Sequence, residues 1–262
     1  MAVSLDQMLD ASRRGLTALR ARRSGLEREA ESRPRPRSMS GALRGARVAV
    51  VAEVKRRSPS AGVIRDDIDP VERATLYARH GAAAISVLTD SAHFGGSIGD
   101  LRAAAPHVEV PLLRKDFILD ELQVLEARAA GASAVLLIVR ALPAGRLEAL
   151  LGFARTAELE ALVEVHTAAE LERALDVGAE IVGVNSRDLD TFRIDLAGAW
   201  ELIARVPADR IAVAESGMQR PEDVGRAAAA GADAVLVGTA LSAAPDPAGL
   251  LRQLSAVARR GR

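Results

Sequence analysis

Cysteine is absent from this 262-residue chain, which excludes disulfides, thiol nucleophiles and thiolate metal sites. Aromatic residues make up only 2 %, so a core has to be built from Ala, Val, Leu and Ile. Net charge is missing as well: 35 basic and 35 acidic residues balance, which argues against a nucleic-acid or membrane surface. No apolar run reaches the roughly 18 residues of a transmembrane helix. The N-terminal stretch has no apolar signal core, and Asp6, Asp10, Glu27 and Glu29 argue against a transit peptide. The cytoplasm is the expected compartment.

The most informative scarcity is of lysine. Only two of the 35 basic residues are lysines, Lys55 and Lys115, and the chain has a single asparagine, Asn185. Arginine stays charged in a protein, whereas lysine is a compact donor whose pKa can be tuned. A chain that uses arginine almost everywhere therefore marks the places where arginine will not serve. Both lysines follow apolar runs that read as strands, Val48–Val54 and Val110–Arg114, and Asn185 ends a third, Ile181–Asn185. If strand ends make up about a tenth of an eight-unit α/β chain, two random lysines both fall there roughly one time in a hundred.

The length allows one large α/β domain or two small ones. Residues 4–31 read as one helix, with Ser4 as N-cap, Gln7 completing a capping box, and Leu5, Met8, Leu9, Leu16 and Leu19 at helical spacing. Residues 31–41, rich in Pro, Ser and Arg, form a break. Residues 1–46 are thus a helical extension, and 47–262 the main body. There a repeat appears: Gly81, Gly131, Gly178 and Gly231 are each followed by Ala and an apolar run, the pattern of a helix C-cap glycine leading into a buried strand. Four more strands are expected at 47–54, 110–114, 160–165 and 210–214, with helices such as 120–130 and 168–177 between them. Eight β-α units in strict alternation fit a (β/α)8 TIM barrel. An open doubly wound sheet is the alternative, but its glycine-rich nucleotide fingerprints are missing.

In such a barrel the chemistry collects at the carboxyl ends of the strands. Those ends carry Glu53 and Lys55, Thr89, Lys115, Arg140, Glu164 and His166, Asn185 and Arg187, Glu215 and Ser216, and Gly238 and Thr239. Alternate residues share a face, so Glu53 with Lys55, and Glu164 with His166, are expected to point together into the mouth. The result is a polar funnel with two lysines, three carboxylates and one amide. For Glu53, Glu215 and Arg187 a purely structural ion pair is an equal alternative. Gly217, Gly238 and Thr239 expose backbone N–H groups where barrels often bind phosphate. The long first loop, Arg56–Arg65, reads as a movable lid whose arginines attract an anion. The four histidines show no metal-ligand spacing.

Six ordered motifs then resemble one family. Ala52-Glu-Val-Lys-Arg-Arg-Ser-Pro-Ser60, Leu113-Arg-Lys-Asp-Phe-Ile118, Leu162-Val-Glu-Val-His166, Gly183-Val-Asn-Ser-Arg-Asp-Leu189, Ala214-Glu-Ser-Gly217 and Leu236-Val-Gly-Thr239 are similar to indole-3-glycerol phosphate synthases, as is Phe94-Gly-Gly-Ser97. The resemblance runs from about residue 47 to 241. It implies ring closure of 1-(2-carboxyphenylamino)-1-deoxyribulose 5-phosphate with loss of CO2 and water, on a (β/α)8 barrel without metal or organic cofactor. It implies Lys115 as the acid that protonates the substrate carbonyl, and Glu164 as acid or base in the dehydration, helped by Lys55 and Asn185. Glu53 and Glu215 would position substrate and tune the lysines. Ser58 and Lys55 would hold carboxylate or phosphate, and Arg187 and Ser216 would also bind substrate. Gly217, Gly238 and Thr239 would cradle the phosphate, and Phe94, Phe117 and Leu136 would wall the anthranilate ring. A neighbouring lysine is expected to lower the Lys115 pKa toward working pH. The chain departs from the family at Thr239, where serine is common, and at Asp90–His93, which lacks the usual bulky or basic residues. A monomer is expected, with possible association with other enzymes of the tryptophan pathway. Two rival readings are a related barrel isomerase, which the lack of cysteine disfavours, and a non-catalytic phosphate-binding barrel.

Overall fold

The computed structural model describes residues 4–261; residues 1–3 of the expected extension and residue 262 of the expected barrel lie outside the described residues. Eight parallel strands close on themselves: β1 (Ala49–Val54), β2 (Ala84–Leu88), β3 (Leu112–Lys115), β4 (Ala134–Ile138), β5 (Glu160–Val165), β6 (Ile181–Asn185), β7 (Ile211–Glu215) and β8 (Ala234–Val237). β1 pairs with both β2 and β8, so no edge is left, and the open-sheet alternative falls. The four Gly-Ala glycines all have positive φ, from 76° at Gly178 to 106° at Gly81. Gly131 and Gly231 are left-handed caps that end one helix and turn the chain straight into β4 and β8.

Alternation along each strand separates two cores. Val50, Ala52 and Val54 of β1 face the surrounding helices, whereas Val51 faces the barrel interior. Inside, Val51, Leu113, Leu162 and Val213 are fully buried residues of the odd-numbered strands. Two residues further along the same four strands stand Glu53, Lys115, Glu164 and Glu215. A barrel fills its interior with layers of four side chains from alternate strands. Here the middle layer is aliphatic, and the layer above it consists of three carboxylates and one ammonium.

The extension departs from the single helix expected over 4–31. It forms two helices, Leu5–Ala21 and Arg23–Ser32, broken at Arg22 (φ −104°, ψ 3°). The first carries the expected Ser4/Gln7 capping box and contributes Leu5, Met8 and Leu9 to the cluster that contains Phe117 and Leu136. The second lies against the helix Glu121–Ala130, burying Leu26 and Ala30 on Ala129. A straight helix over this length would run about 40 Å and could not serve both surfaces, so the chain bends between them. The expected break contains one further helical turn, Met39–Ala42, which places Met39 and Leu43 in the barrel core at the amino ends of the strands. Glu160, the first residue of β5, accepts hydrogen bonds from the Met39 and Ser40 amides and from the Ser40 hydroxyl. The extension therefore touches both ends of the barrel.

Candidate active site

A cavity of about 450 Å³ opens at the carboxyl ends of the strands. Every residue singled out in the sequence as catalytic, substrate-binding or phosphate-binding lines it: Lys115, Glu164, Lys55, Glu53 and Asn185, then Ser58, Phe94, Phe117, Leu136, Arg187, Glu215 and Ser216, and finally Gly217, Gly238 and Thr239.

Lys115 is the centre of the charge network. Its Nζ stands 2.9 Å from Glu164 Oε2 and 2.6 Å from Glu215 Oε2. Lys55 Nζ lies 3.1 Å from Glu53 Oε1, and Ser86 donates to Glu53 Oε2 at 3.4 Å. Asn185 Nδ2 donates to Glu164 Oε1 (3.1 Å), while Asn185 Oδ1 accepts from Ser216 Oγ (2.8 Å) and the Arg187 amide (3.0 Å). The only asparagine thus uses donor and acceptor at once, which neither a carboxylate nor an ammonium group could do.

The expected tuning of Lys115 is corrected by this geometry. The neighbouring charges are carboxylates, because the second lysine is engaged by Glu53. Burial disfavours the Lys115 cation, but Glu164 and Glu215, with Glu53 behind them, outweigh burial and hold its pKa above the ordinary lysine range. Burial likewise opposes the Glu164 carboxylate, yet Lys115 holds it down to about 2. For Glu215 burial prevails: despite Lys115 its carboxyl is pushed up to about 7, and Glu164 adds to the rise. One ammonium cannot fully compensate two buried carboxylates, and the second keeps its proton more readily. Glu215 Oε1 is buried without a hydrogen-bond partner, as fits a carboxyl that is not permanently ionised.

Of the three residues for which a structural ion pair was an alternative, Glu53 and Glu215 do pair, each with a lysine in the cavity wall. Arg187 does not. Among the described residues it makes no ion pair; its Nη1 donates to the Phe192 carbonyl at 3.0 Å, and burial lowers its pKa. It is a half-buried cation in the cavity wall without a countercharge.

Two glycines make room for this layer. A Cβ at Gly183 on β6 would run into the Glu215 carboxylate, and one at Gly238 after β8 would run into that of Glu53. Gly238 also precedes the short helix Thr239–Ala243, whose N-terminus has no side-chain cap. Ser216 and Gly217 on the neighbouring turn both have positive φ (66° and 76°).

The apolar wall is formed by Phe94 and Phe117, with ring centroids 6.4 Å apart, by Leu136, and by Met8 of the extension. Asp90 caps the turn Ser91–Phe94, accepting from the His93 amide at 2.6 Å and the Phe94 amide at 3.2 Å, and so fixes the Phe94 backbone.

Several expectations do not hold. Arg56 and Arg57 do not face the cavity: Arg56 binds the Ile68 and Gly95 carbonyls and Asp100, and Arg57 binds the Ser91 and Ala92 carbonyls. They shape the loop, whose Arg57–Ser58 and Gly62–Val63 form a minimal antiparallel ribbon. Thr89 turns away to Asp116 (2.5 Å) and Arg114 (3.2 Å). His166 approaches Glu164 but lines a different cavity, together with Arg140. Conversely, Met8, Leu189, Phe192 and Ile194 line the site and went unrecognised. Phe192 carried a usable signal: the chain has four phenylalanines, and Phe94, Phe117 and Phe192 all face this cavity. Scarcity pointed to it as clearly as to the lysines.

Among the described residues no group of three or more His, Asp or Glu side chains is disposed to hold a metal ion, and no helix is long and apolar enough to cross a membrane.

Fold and site together define a (β/α)8 barrel with a charged, apolar-walled cavity at the carboxyl ends of its strands, the usual position of the active site in barrel enzymes. The barrel alone is widely shared. The chain superposes on thiamine phosphate pyrophosphorylase from Pyrococcus furiosus with a TM-score of 0.60 at 19 % identity, covering 83 % of this chain and 96 % of that one. It superposes on a 3-hexulose-6-phosphate synthase with a TM-score of 0.63 at 18 % identity, covering 81 % and 100 %. Sequence is more specific. The family model for indole-3-glycerol phosphate synthase matches residues 5–254. The chain is 47 % identical to the indole-3-glycerol phosphate synthase of Parafrankia sp. over 93 % of its own length and 92 % of the relative's. It is 50 % identical to that of Nocardioides sp. over 85 % of each. The chain belongs to the indole-3-glycerol phosphate synthase family, carboxy-lyases of tryptophan biosynthesis.

Proposed function

We propose that this chain converts 1-(2-carboxyphenylamino)-1-deoxyribulose 5-phosphate into indole-3-glycerol phosphate, CO2 and water, with Lys115 as the acid of ring closure. The observation that carries the assignment is the Lys115 ammonium, held between Glu164 and Glu215 inside an apolar-walled cavity. In this reaction a carbon of the aniline ring attacks a ketone, and the developing alkoxide needs a proton from a placed donor. Lys115 is charged in the resting site, so the donor is loaded before substrate arrives. Its acidity rises when a neighbouring carboxylate becomes neutral, and Glu215, pushed up to about 7, is the group able to do so near neutral pH.

The remaining walls divide the substrate between them. Phe94, Phe117 and Leu136 offer flat apolar surface to the anthranilate ring. Arg187, unpaired, and Lys55 and Ser58, which both line the wall, suit the substrate carboxylate. The uncapped N-terminus at Thr239, with Gly217 and Gly238, suits the phosphate. Threonine in place of the commoner serine leaves the backbone N–H unchanged. Asn185 orients Glu164 for the dehydration, which needs a base at carbon and an acid at the departing hydroxyl. Acid–base chemistry of this kind calls on no redox carrier.

The reading takes the chain as a cytoplasmic monomer. Among the described residues the exposed large hydrophobic side chains are Val63 and Ile194, both on mouth loops, and this supports a chain without a large apolar partner face.

The test is direct. Purified protein mixed with the carboxyphenylamino-deoxyribulose phosphate in metal-chelated buffer should develop indole fluorescence, and inorganic phosphate should compete with substrate. Binding without fluorescence would turn the chain into a phosphate-ligand binding barrel and end the enzymatic reading.

A further inference from the structure

The reaction proposed above has a proton balance that its known participants do not close. Written with the substrate carboxylate ionised, the carboxylate leaves as CO2 and carries no proton away. The ketone oxygen gains one proton on becoming a hydroxyl and a second on leaving as water, and one proton is recovered from carbon during dehydration. Each turnover therefore takes one proton from solvent. Lys115 and Glu164 are both largely buried, and the cavity that admits water to them is the one in which the proposed reaction places the substrate.

A second cavity, of about 430 Å³, lies behind this wall. His166, Asn185 and Arg140 line it, and exposed Arg193, Asp195, Glu201 and Arg205 form its solvent side. The His166 side chain is only 5 % exposed. Its Nε2 stands 3.5 Å from Glu164 Oε1, buried and without a hydrogen-bond partner. Its Nδ1 lies 3.3 Å from Glu170 Oε2, and Glu170 also accepts from the His166 amide at 2.7 Å. Glu170 in turn pairs with Arg140, 3.1 Å away, and Arg140 with Asp188 at 3.1 Å. The imidazole is thus held from the far side, with its free nitrogen 3.5 Å from the carboxylate beside the acid.

We propose that His166 is a proton-relay and positioning residue that connects Glu164 to the solvent of the second cavity; the proposal rests on the ring-closure reading. After Lys115 Nζ has given a proton to the substrate oxygen, the Glu164 carboxylate takes one at Oε1 from the His166 imidazolium at Nε2. Rotation of the Glu164 carboxyl group presents that proton to Lys115 Nζ, which takes it and leaves the carboxylate restored. His166 recovers one from water in the second cavity, while Glu170 stabilises the imidazolium. At each transfer one N–H or O–H bond breaks and one forms, and a single proton passes inward per turnover. The charged groups around the ring are Glu164 on its own strand, Glu170 on the following helix, Arg140 after β4, and Asp188 on the loop after β6.

The test uses His166→Gln and His166→Ala in the full chain, with turnover, KM and a solvent deuterium isotope effect. Glutamine keeps a polar group of similar reach but cannot ferry a proton. The expected result is a fall in kcat of about tenfold or more for both variants with KM changed less than about twofold. Added imidazole should restore kcat to His166→Ala saturably, and a Lys115→Arg control should not respond to it. Near-normal kcat in His166→Gln overturns the relay, since filling the space would then suffice. Failure of imidazole to restore a well-folded His166→Ala overturns it as well. If the unmodified chain closes no ring, the parent reading fails; if the chain is active and the variants match it, the relay alone fails.

Discussion

At the carboxyl ends of its strands the barrel buries Glu53, Glu164 and Glu215 around the partly buried Lys115; at the amino ends it buries Met39 and Leu43. The same strands build both ends, separated by the aliphatic layer of Val51, Leu113, Leu162 and Val213. The floor is satisfied: the short helix that delivers Met39 has its first amides capped by Glu160. The mouth is not: it holds more carboxylates than ammonium groups, an arginine without a countercharge and a carboxyl oxygen without a partner. Burying unbalanced charge opposes stability. The mouth therefore makes sense as a reactive surface whose unpaired cation, Arg187, waits for an anionic group, and the floor as the structure that holds the mouth together.

Substitutions can break this contrast, beginning with the largest effect. Lys115→Arg should lower turnover by about 10²-fold or more while the circular dichroism spectrum persists, because charge remains but the tunable proton does not. Near-normal turnover would remove Lys115 as the acid. Met39→Ala should do the reverse, costing about 2–5 kcal/mol of stability in a denaturant titration with turnover per folded molecule little changed. A loss of turnover without a loss of stability would show that the floor is not the separate region described here. Lys55→Ala should raise KM about tenfold, and an unchanged KM would take Lys55 off the anion-binding surface.

The smallest effect concerns pH. The folded Glu215 carboxyl titrates near 7, whereas an unfolded glutamate titrates near its ordinary 4.5. Between these values the folded chain binds more protons than the unfolded one, so Glu215 makes stability fall as pH rises through that window. Glu164 acts oppositely: its pKa of about 2 contributes stability that is present above the ordinary value and lost as pH falls toward 2. Glu215→Gln should flatten the decline of Tm between pH 5 and 7. An unchanged Tm profile would mean that the carboxyl is ionised throughout.

Much of the mouth could be read from residue types. The chain spends its only lysines and its only asparagine there, and a Gly-Ala start announced the strand that Asn185 ends. What the sequence hid depends on distance in space. That Lys115 faces two carboxylates rather than Lys55 is a matter of which odd-numbered strands share a layer, and periodicity along one strand does not report it. Arg56 and Arg57 looked like free cations because the Gly95, Ser91 and Ala92 carbonyls that hold them belong to the next loop. The bend at Arg22 left no proline or glycine at the break itself; it follows from the two surfaces the extension covers. Met39 and Leu43 sat inside a Pro- and Ser-rich stretch whose composition suggested only a connection.

Gly183 and Gly238 give the mouth a history as well as a shape. Each leaves empty the volume that a carboxylate on the adjoining strand occupies. A descendant of this chain could not gain a side chain at Gly183 while keeping Glu215 where it is, nor at Gly238 while keeping Glu53. The first step along either path is the loss of an acid from the mouth. Lineages that keep the chemistry are therefore bound to keep two residues that never touch the substrate through a side chain, and divergence toward another reaction would register as paired change at these positions.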